Sequence, residues 1–226
     1  MFNFLFRWKK YPEFWQEYLR HFDHSWSKKT PIEEVRFVVV DTETTGLEPS
    51  KDKLLSIAAA AVVNRQLLLE DSFECYVAQH VNTGGNAPVH GILQKEMEQG
   101  LTEAEALRQF LAFCKDAVIV GHHIGFDKAM LNQALKNAGA GMLKNKFVDT
   151  ARLAVRVEHP FERYNVVYQP GEFGLDALSK RFNIPDQERH TAAGDVYITA
   201  ILFLKLLARV QKRGNRTLGE LLSYDG

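Results

Sequence analysis

The chain has 226 residues, 46% of them apolar and 25% charged, with a formal net charge of zero. That is enough for one good-sized α/β domain plus a modest extension, with the composition of an ordinary water-exposed globular protein. It excludes a collagenous, disulfide-stapled or strongly basic chain, so a phosphodiester ligand would need a local basic patch, and tight non-specific binding of long duplexes is disfavoured.

Residues 1–34 read as an aromatic helical extension. All three tryptophans (Trp8, Trp15, Trp26) lie here. Pro12 and Glu13 mark a helix start, and Phe14, Trp15, Tyr18, Leu19 and Phe22 repeat at helical spacing over roughly 12 residues. Such a stripe must be covered, by the body of the chain or by a protein partner. The mixed charges of Lys9, Lys10, Glu13, Glu17 and Arg20 disfavour a membrane surface.

From Val35 to Val40 an apolar β-branched run predicts a buried strand. Leu54 to Val63 and Gln66 to Val77 predict two more, joined as a hairpin at Asn64-Arg65. Gly84 to Pro88 is a loop. Thr102 caps a helix from Glu103 to Cys114, with Glu105 in a near capping-box position. Ala117 to Val120 is a short strand, and Asp127 to Asn137 a helix ended by Gly139. Phe147 to Asp149 is the last strand. Helices follow at about 150–157, 174–182 and Ala192 to Arg213, leaving 214–226 as a short tail. Three strands in a row and then alternating helix and strand predict a mixed sheet flanked by helices, with its site where strands end. Cys75 and Cys114 have apolar surroundings and no metal-type spacing, which predicts buried thiols in a reducing cytoplasm. No apolar stretch approaches a membrane span, and the N-terminus has the wrong order for a secretory signal.

Chemistry gathers at element ends. Asp41 and Glu43, two apart on a strand, project from one face and repel unless a cation lies between them. The same pair would also suit a polar strand end running into the Thr44-Thr45-Gly46 turn. Asp127 begins a helix, where an acid also complements the dipole. His122 and His123 precede it, but no third ligand stands at a zinc interval. His190 and Asp195 would point about 140° apart on a continuous helix. Both reach one site only if the helix breaks between them, with Thr191 as its N-cap. Four carboxylates converging on a sheet edge would be costly unless cations neutralise them. Two magnesium or manganese ions, with His190 as base, are the simplest arrangement, and they point to phosphodiester hydrolysis.

At these residues the chain resembles the DnaQ-like, or DEDD-h, family of 3′–5′ exonucleases, which includes the proofreading (epsilon) subunit of bacterial DNA polymerase III, ribonuclease T and oligoribonuclease. Asp41 and Glu43 with Thr44-Thr45-Gly46-Leu47 match the first motif, Asp127 the second, and His190 with Asp195 the third. The resemblance spans about residues 35–213 and implies a ribonuclease H-like mixed five-stranded sheet. It implies Asp41, Glu43, Asp127 and Asp195 as ligands of two Mg2+ or Mn2+ ions and His190 as general base. By the same resemblance, Thr44, Thr45, Gly46 and Leu47 hold the 3′-terminal nucleotide, with His90 and Ile92 lining the pocket. His123 stands where the family commonly has an asparagine that contacts the substrate backbone. The proofreading subunit also carries a long C-terminal tail that binds the polymerase, and 214–226 is short by comparison.

The expected activity is release of nucleoside 5′-monophosphates from single-stranded 3′ ends, DNA favoured over RNA, in the cytoplasm. The alternatives are an RNA-trimming or oligoribonucleotide-degrading enzyme, and a non-catalytic nucleic-acid-binding protein of the same fold.

Overall fold

The computed structural model describes residues 11–23, 26–79, 99–159, 168–185 and 189–223. The expected 84–88 loop, His90 and Ile92 lie outside them. The described elements run α1 (Glu13–Arg20), a 3-10 turn (Ile32–Glu34), β1 (Phe37–Thr44), β2 (Leu54–Val63), β3 (Gln66–Tyr76) and α2 (Glu103–Cys114). After them come β4 (Val118–Gly121), α3 (Gly125–Asn137), β5 (Phe147–Asp149), α4 (Thr150–Glu158), α5 (Leu175–Arg181), α6 (Ala192–Lys212) and α7 (Leu218–Leu222).

The strands form one sheet in the order β3-β2-β1-β4-β5. β1, β2 and β3 are antiparallel neighbours, while β4 and β5 run parallel to β1. The β2–β3 hairpin turns at Asn64 and Arg65, both with positive φ (46° and 61°). That is the primed two-residue turn whose twist matches the strands it joins. β1 is central and its side chains alternate between two cores. Phe37 and Val39 join Ala58, Ala60, Val118, Val120 and the inner faces of α4 to α7. Val38 and Val40 join Ile57, Ala59, Ile119 and the helices α1 to α3 on the other face. Period-two alternation in a strand covered on both sides reads in sequence as one continuous apolar run.

Two boundaries moved most. β1 extends through Asp41 and Glu43 to Thr44, past the expected end at Val40, because β2 continues beside it as far as Leu54. α1 is eight residues rather than about twelve, ending at Arg20. Its apolar stripe does the predicted packing. Trp15 and Tyr18 are almost fully buried in the second core. Gly141 lies flat under the indole: a Cβ there would fall 2.7 Å from Trp15 Cζ2. Tyr18 Oη donates to Asn145 Oδ1 at 2.6 Å and accepts from Lys144 N at 2.8 Å, and burial raises its pKa above the usual tyrosine value.

The last described residues are also fastened down. Thr217 and Glu220 form a full capping box on α7, and Leu218 and Leu221 are buried in the first core. Leu218 N donates to Thr30 O at 2.9 Å, Gly219 N to Lys28 O at 2.7 Å, and Ile32 N to Arg216 O at 2.9 Å. Cys75 and Cys114 are buried free thiols, and burial raises the Cys75 pKa to about 11. No described helix is long and apolar enough to cross a membrane.

Candidate active site

The site lies where β1 outruns β4. Their pairing ends at Val39↔Val120, whereas β1 runs on to Thr44. The overhang leaves backbone groups on the β4 side without a strand partner. Asp127, in the first turn of α3, fills that position: its Oδ1 accepts from Thr42 N at 3.0 Å and from Thr42 Oγ1 at 2.7 Å. Thr42 belongs to the α3 face of the strand, and by the same alternation Asp41 and Glu43 belong to the α6 face.

That face brings in Asp195. Thr191 is the N-cap of α6, its Oγ1 accepting from Gly194 N at 3.1 Å. Asp195 therefore falls in the first turn, where the helix dipole favours a negative charge. Single carboxylate oxygens of Asp41, Glu43 and Asp195 all lie within 4.8 Å of one another. Asp127, with its Oδ1 bonded to Thr42, is not in this group of three, yet it is the first of the neighbouring charges that raise the pKa of Asp41. The conflict is electrostatic. Burial first, then Asp127, Asp195 and Glu43, push Asp41 well above the usual carboxylate range. Burial, with Asp195 and Asp127, pushes Glu43 up to about 7. Asp127 is raised to about 6, mainly by burial, despite its bonds from Thr42.

His190 lies just outside the helix, exposed, with φ at +67°. The helix break anticipated between His190 and Asp195 is thus at Thr191. Thr44, Thr45, Gly46 and Leu47 form the turn that follows β1. Thr45 Oγ1 donates to Asp52 Oδ1 at 2.9 Å, and Glu48 N donates to Asp52 Oδ2 at 2.7 Å. A Cβ on Gly46 would meet the Asp52 carboxylate at 2.6 Å, so a larger residue would push that side chain out of its place. Leu47 is 85% exposed.

His123 is exposed and left-handed (φ 54°), its N–H donating to Asp149 Oδ1 at 3.1 Å. The same Asp149 oxygen caps α4 by accepting from Ala151 N at 2.9 Å. His122 turns inward, with Nδ1 2.9 Å from Thr150 Oγ1 and Nε2 buried. Burial, with the neighbouring His123, lowers its pKa to about 3, which keeps it neutral; separately, no group of potential metal ligands includes it among the described residues.

Sequence reasoning gave no part to three residues that organise this corner. Thr42 lies between the two motif acids, and only the pairing register shows that its N–H needs an acceptor. Arg189 donates through Nη1 to both oxygens of Asp195 and through Nε to Asp176 Oδ1 at 2.6 Å. Asp176 is in α5, an element whose placement beside α6 no spacing reveals. For Arg189 the available signal was its place directly before the motif histidine.

The exonuclease family (RNase_T) matches residues 38–203. The chain belongs to that family. A DNA polymerase III subunit epsilon-like protein of Rhodobacter capsulatus is 35% identical over 203 residues, covering 86% of this chain and 27% of that protein. A PolC-type DNA polymerase III of Caldanaerobacter subterraneus is 29% identical, over 84% of this chain and 13% of its own length. The chain thus spans about a quarter or less of the length of these relatives. Among solved structures, Escherichia coli exonuclease I in complex with a dT13 oligonucleotide superposes with a TM-score of 0.65 at 20% identity, covering 80% of this chain and 43% of that one. Cell-death related nuclease 4 gives 0.64 at 13%, covering 78% and 64%. The fold is the ribonuclease H-like sheet of these nucleases.

Proposed function

We propose that this chain is a metal-dependent 3′–5′ exonuclease that shortens single-stranded nucleic acid, DNA in preference to RNA, and releases nucleoside 5′-monophosphates. One observation carries the reading. Three carboxylate oxygens within 4.8 Å, from Asp41 and Glu43 on the strand overhang and Asp195 on α6, meet in a chain of the exonuclease family. The polymerase III relatives and the oligonucleotide complex of exonuclease I support DNA as the substrate.

The donor set fits hard divalent cations. It consists of carboxylates only, it is partly or fully buried, and burial first and then neighbouring carboxylates raise the pKa values of Asp41 and Glu43, a repulsion that a cation would relieve. Asp41, Glu43, Asp195 and, from the α3 side, Asp127 would hold two Mg2+ or Mn2+ ions. When bound, these supply a water acidified near neutral pH and charge neutralisation at the leaving oxygen.

The remaining work belongs to the protein. His190, exposed on the segment before α6, takes the proton of the attacking water as general base. The turn from Thr44 to Leu47, held rigid by Asp52, seats the 3′-terminal nucleotide, with the Leu47 side chain free to pack against its base. His123, exposed beside the site, contacts the substrate backbone.

The test incubates the protein and its Asp195→Ala variant with 5′-labelled single-stranded DNA and RNA in Mg2+, Mn2+ or EDTA. The expected result is a ladder of 3′-shortened products that needs metal and Asp195 and forms faster on DNA. A faster ladder on RNA would move the assignment to an exoribonuclease. Absence of metal-dependent degradation of either strand would overturn the catalytic reading in favour of a binding protein.

A further inference from the structure

The acid cluster already has a cation of its own. Arg189 places Nη1 on both oxygens of Asp195 and Nε on Asp176, and its side chain is 16% exposed against 12% for Asp195. Its charge also favours the ionised forms of Asp41 and Glu43, which every other charge named beside them disfavours. Yet Asp195 also contributes one of the three oxygens that lie within 4.8 Å. A carboxylate with both oxygens engaged by a guanidinium has no free oxygen to offer a hard cation at full strength. Arg189 is bonded directly to His190, whose backbone is left-handed.

We propose that Arg189 is a resident counter-cation of the acid cluster. Without metal it neutralises the acid cluster through Asp195. A divalent cation entering the cluster displaces it from Asp195, and the guanidinium stays tethered to Asp176. The inference rests on the metal-dependent reading above, and it explains how buried acids of like charge persist in the folded chain before any metal arrives.

The experiment measures Mn2+ binding by calorimetry, and melting temperature in EDTA and in saturating Mn2+, for the native protein, Arg189→Ala and Arg189→Lys. Removing a competitor that occupies the site most of the time raises apparent affinity by the fraction released, here about tenfold for Arg189→Ala. The alanine variant should melt lower than the native protein in EDTA and equal to it in Mn2+. Arg189→Lys keeps the charge but loses the two-point contact, so it should fold and bind Mn2+ about threefold tighter, and it alone decides the matter if the alanine variant does not fold. A melting loss of equal size with and without Mn2+, or Mn2+ affinity unchanged or weakened in the variants, would overturn the proposal and leave Arg189 as a staple between α5 and α6. If the native protein binds no Mn2+, the metal-dependent reading itself fails and the displacement fails with it.

Discussion

The docking of α1 and the acid corner are both built from buried polar groups, and they are opposite in kind. Under α1 the demands close. Tyr18 Oη donates to Asn145 and accepts from Lys144, while the Asn145 amide donates to Lys115 O and Ala117 O at 2.9 and 2.8 Å. At the acid corner they do not close: burial, and then the neighbouring carboxylates, push the pKa values of Asp41 and Glu43 upward. A region whose polar groups are mutually satisfied holds the chain together. A region left in electrostatic conflict is prepared for a ligand that resolves it.

The sharpest way to break this contrast is to neutralise one acid. Asp41→Asn should reduce nuclease activity to the level of the EDTA control while leaving the metal-free melting temperature equal or higher, since a repelling charge has gone. A fall in both would mean that Asp41 is structural. His190→Ala should lower the turnover rate by about 10²–10⁴-fold, the usual cost of a lost general base, with the fold intact.

In the α1 region the expected losses fall on stability. Trp15→Ala removes a fully buried indole and should cost about 3–5 kcal/mol in urea unfolding. Activity per folded molecule should be unchanged. Tyr18→Phe leaves Lys144 N without its acceptor and Asn145 Oδ1 without its donor, and should cost about 1–3 kcal/mol.

Acidity sharpens the comparison further. Glu43, at about 7, and Asp127, at about 6, lie above the ordinary value of about 4 for carboxylic acids. A group raised on folding stabilises the folded state fully below its unfolded pKa, and that contribution is lost as pH rises through the folded value. The melting temperature in EDTA should therefore fall between pH 5 and 8 relative to Glu43→Gln. Mn2+ should restore it at the alkaline end. A profile parallel to that of Glu43→Gln would contradict the raised value. The smallest expected effect lies outside both regions: Asp71→Asn breaks the partly exposed ion pair with Arg36 and should cost less than about 1 kcal/mol.

Most of the sheet was legible in the sequence because its signals are local. Continuous apolar runs, the Asn64-Arg65 turn, the Thr102 cap and Gly139 each act within a few residues. Glu105 shows the limit of such signals. Its N–H reaches Thr102 Oγ1 at 3.3 Å as the capping pattern requires, but its carboxylate turns instead to Arg108 and Gln109. The end of β1 was missed for a similar reason, since pairing with β2 and not composition carries the strand past Val40.

By itself, the sequence determined the acid pair on one face of a strand, the break at Thr191 and the aromatic stripe that buries Trp15 and Tyr18. Period, capping chemistry and hydrophobicity act along the chain and can be read along it. Only the tertiary structure decided which acids share a face. β1 outruns β4, so Asp127 is drawn to Thr42 on the α3 side while Asp195 meets Asp41 and Glu43 on the α6 side. It also decided that Arg189, between α5 and α6, supplies the countercharge. Those choices depend on strand register and helix placement between residues far apart in sequence, where charge and hydrogen-bond demand are settled through space.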